Sequence, residues 1–78
     1  MATLIDEDYN MEITIRDEFI KLGQVLKLAG VVQDGVEAKT VITEGLVKVN
    51  GETDLRRGRK VYRGDVILYN GNEIRVTG

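Results

Sequence analysis

The stretch that most constrains the fold of this chain is a short strand followed by an Asn-Gly turn, at residues 47–51. Val47 and Val49 alternate with Lys48, which is the period of a half-buried strand. Asn50-Gly51 then supplies the positive φ angles that a two-residue hairpin turn requires. The same dipeptide recurs near the C-terminus, between two further apolar runs. This part of the chain is therefore predicted to form antiparallel β-structure.

Between the two turns the chain carries a short loop that is rich in cations. The loop contains Arg56, Arg57, Arg59 and Lys60, with Gly58 between them. Arginine presents a planar fork that pairs with phosphate at two points, whereas lysine acts as a point charge. The loop is therefore predicted to grip a polyanion. The alternative is a solvated loop that only keeps a sheet edge soluble.

Upstream of the hairpin, the spacing of apolar residues predicts one strand and two helices. The strand is expected at residues 11–16 and the first helix at 19–29, where Leu28 falls off the apolar stripe and should pack against another element. Gly23 lies inside this helix, and the sequence offers no reason for it. The second helix is predicted to start at the N-cap Asp34, with Glu37 completing an acidic capping box, and to end at Gly45.

These elements predict an α+β domain, with two short helices packed on a small, mostly antiparallel sheet. A single domain over residues 10–78 is expected, preceded by a flexible acidic segment at 1–9. The predicted core contains eight residues of the helices and the first hairpin strand, and Ile74 and Val76 of the closing strand should also face inward. The eight are Leu22, Val25, Leu26, Ala38, Val41, Ile42, Val47 and Val49.

Composition excludes several kinds of site. The 78 residues include no cysteine and no histidine, which removes disulfides and the usual soft metal ligands. Catalysis would have to use paired carboxylates or an activated lysine, and no pattern indicates either. No apolar run approaches the roughly 20 residues that span a bilayer, and no signal-peptide segment is apparent. We therefore expect a cytoplasmic protein that is not an enzyme and that needs no cofactor, metal or membrane.

The charge is distributed unevenly along the chain. The total is −2, but residues 1–18 carry six acids against one base, and residues 45–64 carry six bases against two acids. Binding of a polyanion depends on the potential at one patch rather than on the total charge. The acidic total therefore does not exclude a nucleic acid partner.

Several segments taken in order resemble a known family. They are Lys21-Leu22, Val25-Leu26, Gly30, Ala38-Lys39, Ile42, Gly45, Val47, Val49-Asn50-Gly51 and Gly64-Asp65-Val66-Ile67. Their order and spacing resemble the S4 domain, an RNA-binding module first described in a ribosomal protein. The chain departs from many members at Gly23, where they carry Asp, and at Asp34-Gly35, where they carry Ser-Arg. In this respect, and in its basic loop, it is similar to the small stand-alone bacterial branch (the YaaA/YbcJ type).

The resemblance implies a non-catalytic RNA-binding protein with the α+β fold predicted above. The residues predicted to contact RNA are Lys21, Lys39, Lys48, Arg56, Arg57, Arg59 and Lys60. Because the chain has one Phe and three Tyr, none evidently exposed beside the basic loop, structured RNA of the ribosomal or tRNA-like kind is favoured over single strands. The alternative is a protein-interaction module that docks on an acidic or ribosome-associated partner. A monomer is expected in either case.

Overall fold

Seven short strands and two helices follow one another over residues 10–78, which are the residues that the computed structural model describes. The predicted acidic segment at 1–9 lies outside them. The elements are β1 (Asn10–Thr14), β2 (Ile20–Lys21), α1 (Leu22–Leu28), α2 (Gly35–Thr43), β3 (Val47–Val49), β4 (Glu52–Thr53), β5 (Lys60–Val61), β6 (Val66–Tyr69) and β7 (Asn72–Thr77).

Five of these strands form one sheet in the order β1-β7-β6-β3-β4. All neighbours are antiparallel except β1 and β7, which run parallel. Both Asn-Gly pairs make the predicted tight turns, and at the first of them φ is 53° at Asn50 and 87° at Gly51. The α+β prediction with a mostly antiparallel sheet is thus confirmed.

The core lies between the two helices and one face of this sheet. All eight predicted core residues are buried, as are Ile74 and Val76. Ile67 of β6 and Val61 of β5 complete the same cluster. Because side chains alternate along a strand, Lys48 and its cross-strand neighbour Leu68 face the other way, into solvent. The sheet therefore has one face under the helices and one open face.

Helix α1 begins three residues later than the sequence predicts. Residues 20–21 form β2, which pairs with β5 of the basic loop. The N–H groups of Leu22 and Gly23 donate to the carbonyl oxygens of Arg59 (2.9 Å) and Arg57 (3.0 Å). The start of a helix leaves such donors without intrahelical partners, and here a distant loop satisfies two of them. Because this contact joins segments far apart in sequence, local periodicity could not reveal it.

The expected packing of Leu28 against another element was wrong. Leu28 is the last residue of α1, and 58% of it is exposed. It lines a shallow hollow together with Phe19 and Ile20. An apolar residue that falls off the buried stripe of a helix needs no covering element, since single exposed apolar side chains are ordinary on protein surfaces.

Helix α2 has both of its predicted ends. Asp34 Oδ1 accepts from the Glu37 N–H at 2.9 Å, and Glu37 Oε1 in turn accepts from the Gln33 N–H at 2.8 Å. At the other end, Gly45 has φ of 80° and donates to the Ile42 carbonyl at 3.0 Å. The N–H of the next residue reaches back to the Val41 carbonyl, which completes a Schellman motif.

Candidate nucleic-acid interface

The basic loop is folded into a turn whose tip rests on α1. The Arg59 N–H donates to the Arg56 carbonyl at 3.2 Å, which places Arg57 and Gly58 at the tip. The Arg57 carbonyl accepts from Gly23, so the tip lies against the first turn of the helix. The side chain of Arg57 is therefore presented at a defined place beside the two helices rather than on a free loop.

This close approach accounts for the glycine inside the first helix. A Cβ atom built at Gly23 would lie 2.7 Å from Cγ of Arg57, a separation that real Cβ atoms do not show. The side chain of Arg57 can lie against the backbone of α1 because residue 23 has no side chain. Gly23 is thus a packing requirement of the basic loop, which the sequence alone did not reveal.

Arg57 stands between two adjoining hollows that we call together the basic groove. The first, of about 280 Å³, lies between α1 and the first turns of α2, and the second follows the outer side of α2. Both hollows are lined by Gly35 and Arg57. Their other lining residues are Lys21, Gly23, Gln24, Lys27, Ala38 and Gly58 in the first, and Val36, Lys39, Thr40 and Thr43 in the second.

The basic groove is strongly one-sided in charge. Its lining includes four cations, namely Lys21, Lys27, Lys39 and Arg57, and none of its lining residues is acidic. All four are exposed to solvent. Like charges kept together with no interspersed carboxylate produce a positive potential that attracts polyanions. Of the residues predicted to contact RNA, the structure brings Lys21, Lys39 and Arg57 together here.

The other predicted residues have different surroundings. Arg56 and Arg59 form ion pairs with Asp54, each at 2.8 Å. The ammonium group of Lys60 lies 4.8 Å from the centre of the Phe19 ring, within cation–π range. Lys48 lies on the open face of the sheet, on the opposite side of the sheet from the helices. The structure does not bring Lys48 into the basic groove.

Asp54 is the carboxylate with which two arginines of the loop pair. It accepts from the backbone N–H of Arg56 at 3.0 Å and from the Arg56 guanidinium at 3.0 and 2.8 Å. Only 11% of its side chain is exposed. The hydrogen bond from the Arg56 side chain holds the pKa of Asp54 below its ordinary value, and the same bond raises the pKa of Arg56.

Sequence reasoning missed some features of this surface. Gln24 and Lys27 line the groove three and six residues after Lys21, a spacing that places the three side chains on one side of the helix. The sequence carries this polar stripe at helical spacing, but neither Gln24 nor Lys27 was among the residues predicted to contact RNA. The expectation that no aromatic residue is exposed beside the loop was also wrong, because Tyr62 is 45% exposed and its ring centroid lies 6.2 Å from that of Phe19.

The described part of the chain lacks what a metal site or a membrane-spanning helix requires. Within residues 10–78, no three acidic, histidine or cysteine side chains group closely enough to hold a metal ion. Neither helix in this range has the length and apolar character needed to cross a bilayer.

Comparison with known sequences identifies relatives over most of the chain. The family model of the S4 domain matches residues 13–77. The probable ribosome maturation protein RlbA of Bacillus subtilis is 54% identical over 59 residues, which are 76% of this chain and 83% of that protein. The putative RNA-binding protein YbcJ of Escherichia coli is 35% identical over 57 residues, or 73% of this chain and 81% of that protein.

Solved structures extend the similarity to the fold. The solution structure of E. coli YbcJ, described as revealing an αL motif involved in RNA binding, matches with a TM-score of 0.67 and 27% identity, over 100% of this chain and 98% of that one. The 30S ribosomal protein S4e of Thermoplasma acidophilum matches with a TM-score of 0.65 and 30% identity, over 77% of this chain and 32% of that longer protein. With a matching family model over residues 13–77 and relatives above 30% identity, this chain belongs to the S4 domain family.

Proposed function

We propose that this protein binds structured RNA, ribosomal or closely related, through the basic groove, and that it does so without catalysing a reaction. The observation that carries the proposal is the convergence of four cations and no carboxylate between α1, α2 and the turn at Arg57. Phosphate groups of a folded RNA are the ligands that such a surface attracts.

The construction of the groove suits recognition of a backbone. The backbone of Arg57 is held at the tip of a turn that hydrogen-bonds to α1. Binding of RNA therefore requires less loss of backbone entropy at this residue than a free loop would require. The three lysines come from two helices and place point charges around it. Successive phosphates of a folded strand could then contact different elements of the protein at once.

Structured RNA is favoured over single strands by what lines the groove. Proteins that bind single strands without sequence preference stack the bases on aromatic rings. None of the residues that line the basic groove is aromatic. Tyr62 and Phe19 lie at the other end of the loop, beside Lys60. Shape and backbone contacts are therefore the mode of recognition that the groove supports best.

The similarity to RlbA and to ribosomal protein S4e supports a ribosomal RNA or its precursor as the target. The protein would then act as a monomer in the cytoplasm. The competing function is docking on an acidic protein, because the same cations would attract carboxylates. The two functions differ in a measurable way, since RNA binding would require no protein partner.

The test is a salt titration of binding by fluorescence anisotropy. The ligands are a structured ribosomal RNA fragment, an unstructured oligonucleotide and polyglutamate. The groove variant is Lys39→Ser/Arg57→Ser, and its matched control is Lys48→Ser/Arg75→Ser on the open face of the sheet. Each variant loses two positive charges, so the total charge of the two proteins is the same.

We expect the groove variant to flatten the plot of log affinity against log salt by roughly 1.4 to 1.8, which is the change for two phosphate contacts. The control variant should change the slope far less. Equal changes in the two variants would mean that binding follows total charge and not the groove. Tight binding of polyglutamate with no binding of RNA would replace the proposal with the protein-docking function.

A further inference from the structure

Asp54 connects the two sides of the turn that presents Arg57. On one side it accepts three hydrogen bonds from Arg56, one from the backbone and two from the guanidinium. On the other side, Nε of Arg59 lies 2.8 Å from Asp54 Oδ2. Arg57 and Gly58 are the two residues between these anchors. The carboxylate therefore closes the base of the turn whose tip enters the basic groove.

The side chain of Arg59 is directed toward Asp54 rather than into solvent. Only 27% of its side chain is exposed, and its Nη1 atom is buried without a hydrogen-bond partner in the described part of the chain. Its own backbone carbonyl accepts from Leu22 at the start of α1. A guanidinium that is turned inward in this way offers little of its surface to an RNA phosphate while it stays paired with Asp54.

We propose that Asp54 is a positioning residue for RNA binding: it holds the turn in the shape that places Arg57 in the basic groove. The proposal rests on the function proposed above. Asp54 itself touches no RNA and carries the charge that RNA repels. Its two ion pairs also engage Arg59 and, in part, Arg56, while Lys60 lies over the Phe19 ring. Of the loop's four cations, Arg57 is the one that lines the basic groove.

The effect of Asp54→Asn on RNA affinity distinguishes positioning by Asp54 from a simple effect of its charge. Asp54→Asn makes the protein more positive by one unit, and simple electrostatics then predicts tighter binding of any polyanion. If Asp54 positions Arg57, the same variant binds structured RNA more weakly. We expect a loss of roughly two- to tenfold, the range for one long side chain that must be immobilised on binding.

The matched control is Glu52→Gln, at an exposed residue two positions earlier on β4. It adds the same unit of charge and should leave RNA binding unchanged or slightly tighter. Arg59→Lys keeps the total charge but replaces the guanidinium that pairs with Asp54, and it should give a smaller loss in the same direction as Asp54→Asn. Affinities are measured at low temperature, with amide NMR spectra to confirm that each variant is folded.

A double-mutant cycle separates positioning from a general effect on the fold. In an Arg57→Ser background, Asp54→Asn should cause no further loss of affinity, because the residue it positions is gone. An Asp54→Asn protein that binds RNA as tightly as the parent, or more tightly, overturns the proposal. So does a loss that persists undiminished in the Arg57→Ser background. If Arg57→Ser alone has no effect, it is the proposed function of the groove that fails.

Discussion

Replacing Gly23 by alanine should separate the stability of this protein from its RNA binding. Without any movement, the Cβ atom of the added methyl group would lie 2.7 Å from Cγ of Arg57. The substitution removes no hydrogen bond, since alanine keeps the N–H that donates to the Arg57 carbonyl. The stem of Arg57 must move instead, and it can move because this side chain is exposed. Arg57 would then be displaced from the basic groove while the helix beneath it stays intact.

Two effects on the free energy of unfolding oppose each other. Alanine is favoured over glycine in a helix by about 1 kcal/mol. Crowding of a packed contact typically costs about 1–3 kcal/mol, and an exposed neighbour that can move places this case at the low end. The net change in stability should therefore stay within about 1 kcal/mol. Gly35→Ala is the matched stability control, because a Cβ atom there meets nothing within 4 Å.

Gly23→Ala should also weaken RNA binding, and the size of this loss should depend on salt. Loss of one phosphate contact, the one proposed for Arg57, should flatten the salt slope by roughly 0.7 to 0.9. Between 50 and 200 mM salt, the advantage of the parent over Gly23→Ala should then shrink about threefold. Anisotropy titrations across this range, with urea unfolding of both proteins, measure the two effects separately. A Gly23→Ala protein with parental affinity and parental slope would refute the argument that this glycine serves the loop.

Three other outcomes are expected. Asp34→Ala should lower the free energy of unfolding by about 1 kcal/mol, because it loses the bond to the Glu37 N–H, and RNA affinity should not change; urea titration and anisotropy check the two statements. Lys39→Ser should flatten the salt slope by about one unit or less, whereas Lys48→Ser on the open face of the sheet should leave it nearly unchanged. The stability difference between the parent and Asp54→Asn should be constant near neutral pH and shrink below about pH 4. The reason is that the pKa of Asp54 is lowered in the folded state, so its stabilising effect is present above the unfolded pKa and is lost as pH falls through the folded one. Urea unfolding at a series of pH values would show a pH-independent difference if the pairing with Arg56 did not matter.

The parts of the fold that depend on neighbouring residues could be predicted from sequence. The Asn-Gly turns, the cap at Asp34 and the end of α2 at Gly45 are each set by a few adjacent residues. Apolar periodicity likewise identified the buried residues of both helices and of β3. The same periodicity also predicts that Lys48 lies on the open face of the sheet. Lys48 alternates with Val47 and Val49, so its side chain points to the other face of the strand.

What could not be predicted depends on contacts between distant segments. Strand β2 exists only because it pairs with β5, and this pairing shortens the predicted helix at its start. The role of Gly23 depends on Arg57, which lies far away in sequence. The sequence does not distinguish the four basic residues of the loop as candidates for RNA contact. In the structure, Arg59 is paired with Asp54, whereas Arg57 lines the groove. A carboxylate within a basic loop thus indicates which cations of that loop are held by internal ion pairs.

The most direct test of RNA binding in the basic groove is an NMR titration of the isotopically labelled protein with a structured ribosomal RNA fragment. Backbone amide shifts of Gly23, Gln24, Gly35 and Gly58 report on the groove. Those of Leu68 and Glu73 report on the open face of the sheet. We expect the groove amides to shift progressively with RNA, and the amides of the open face to move little. Shifts confined to the open face, with the groove amides unmoved at saturation, would contradict the account.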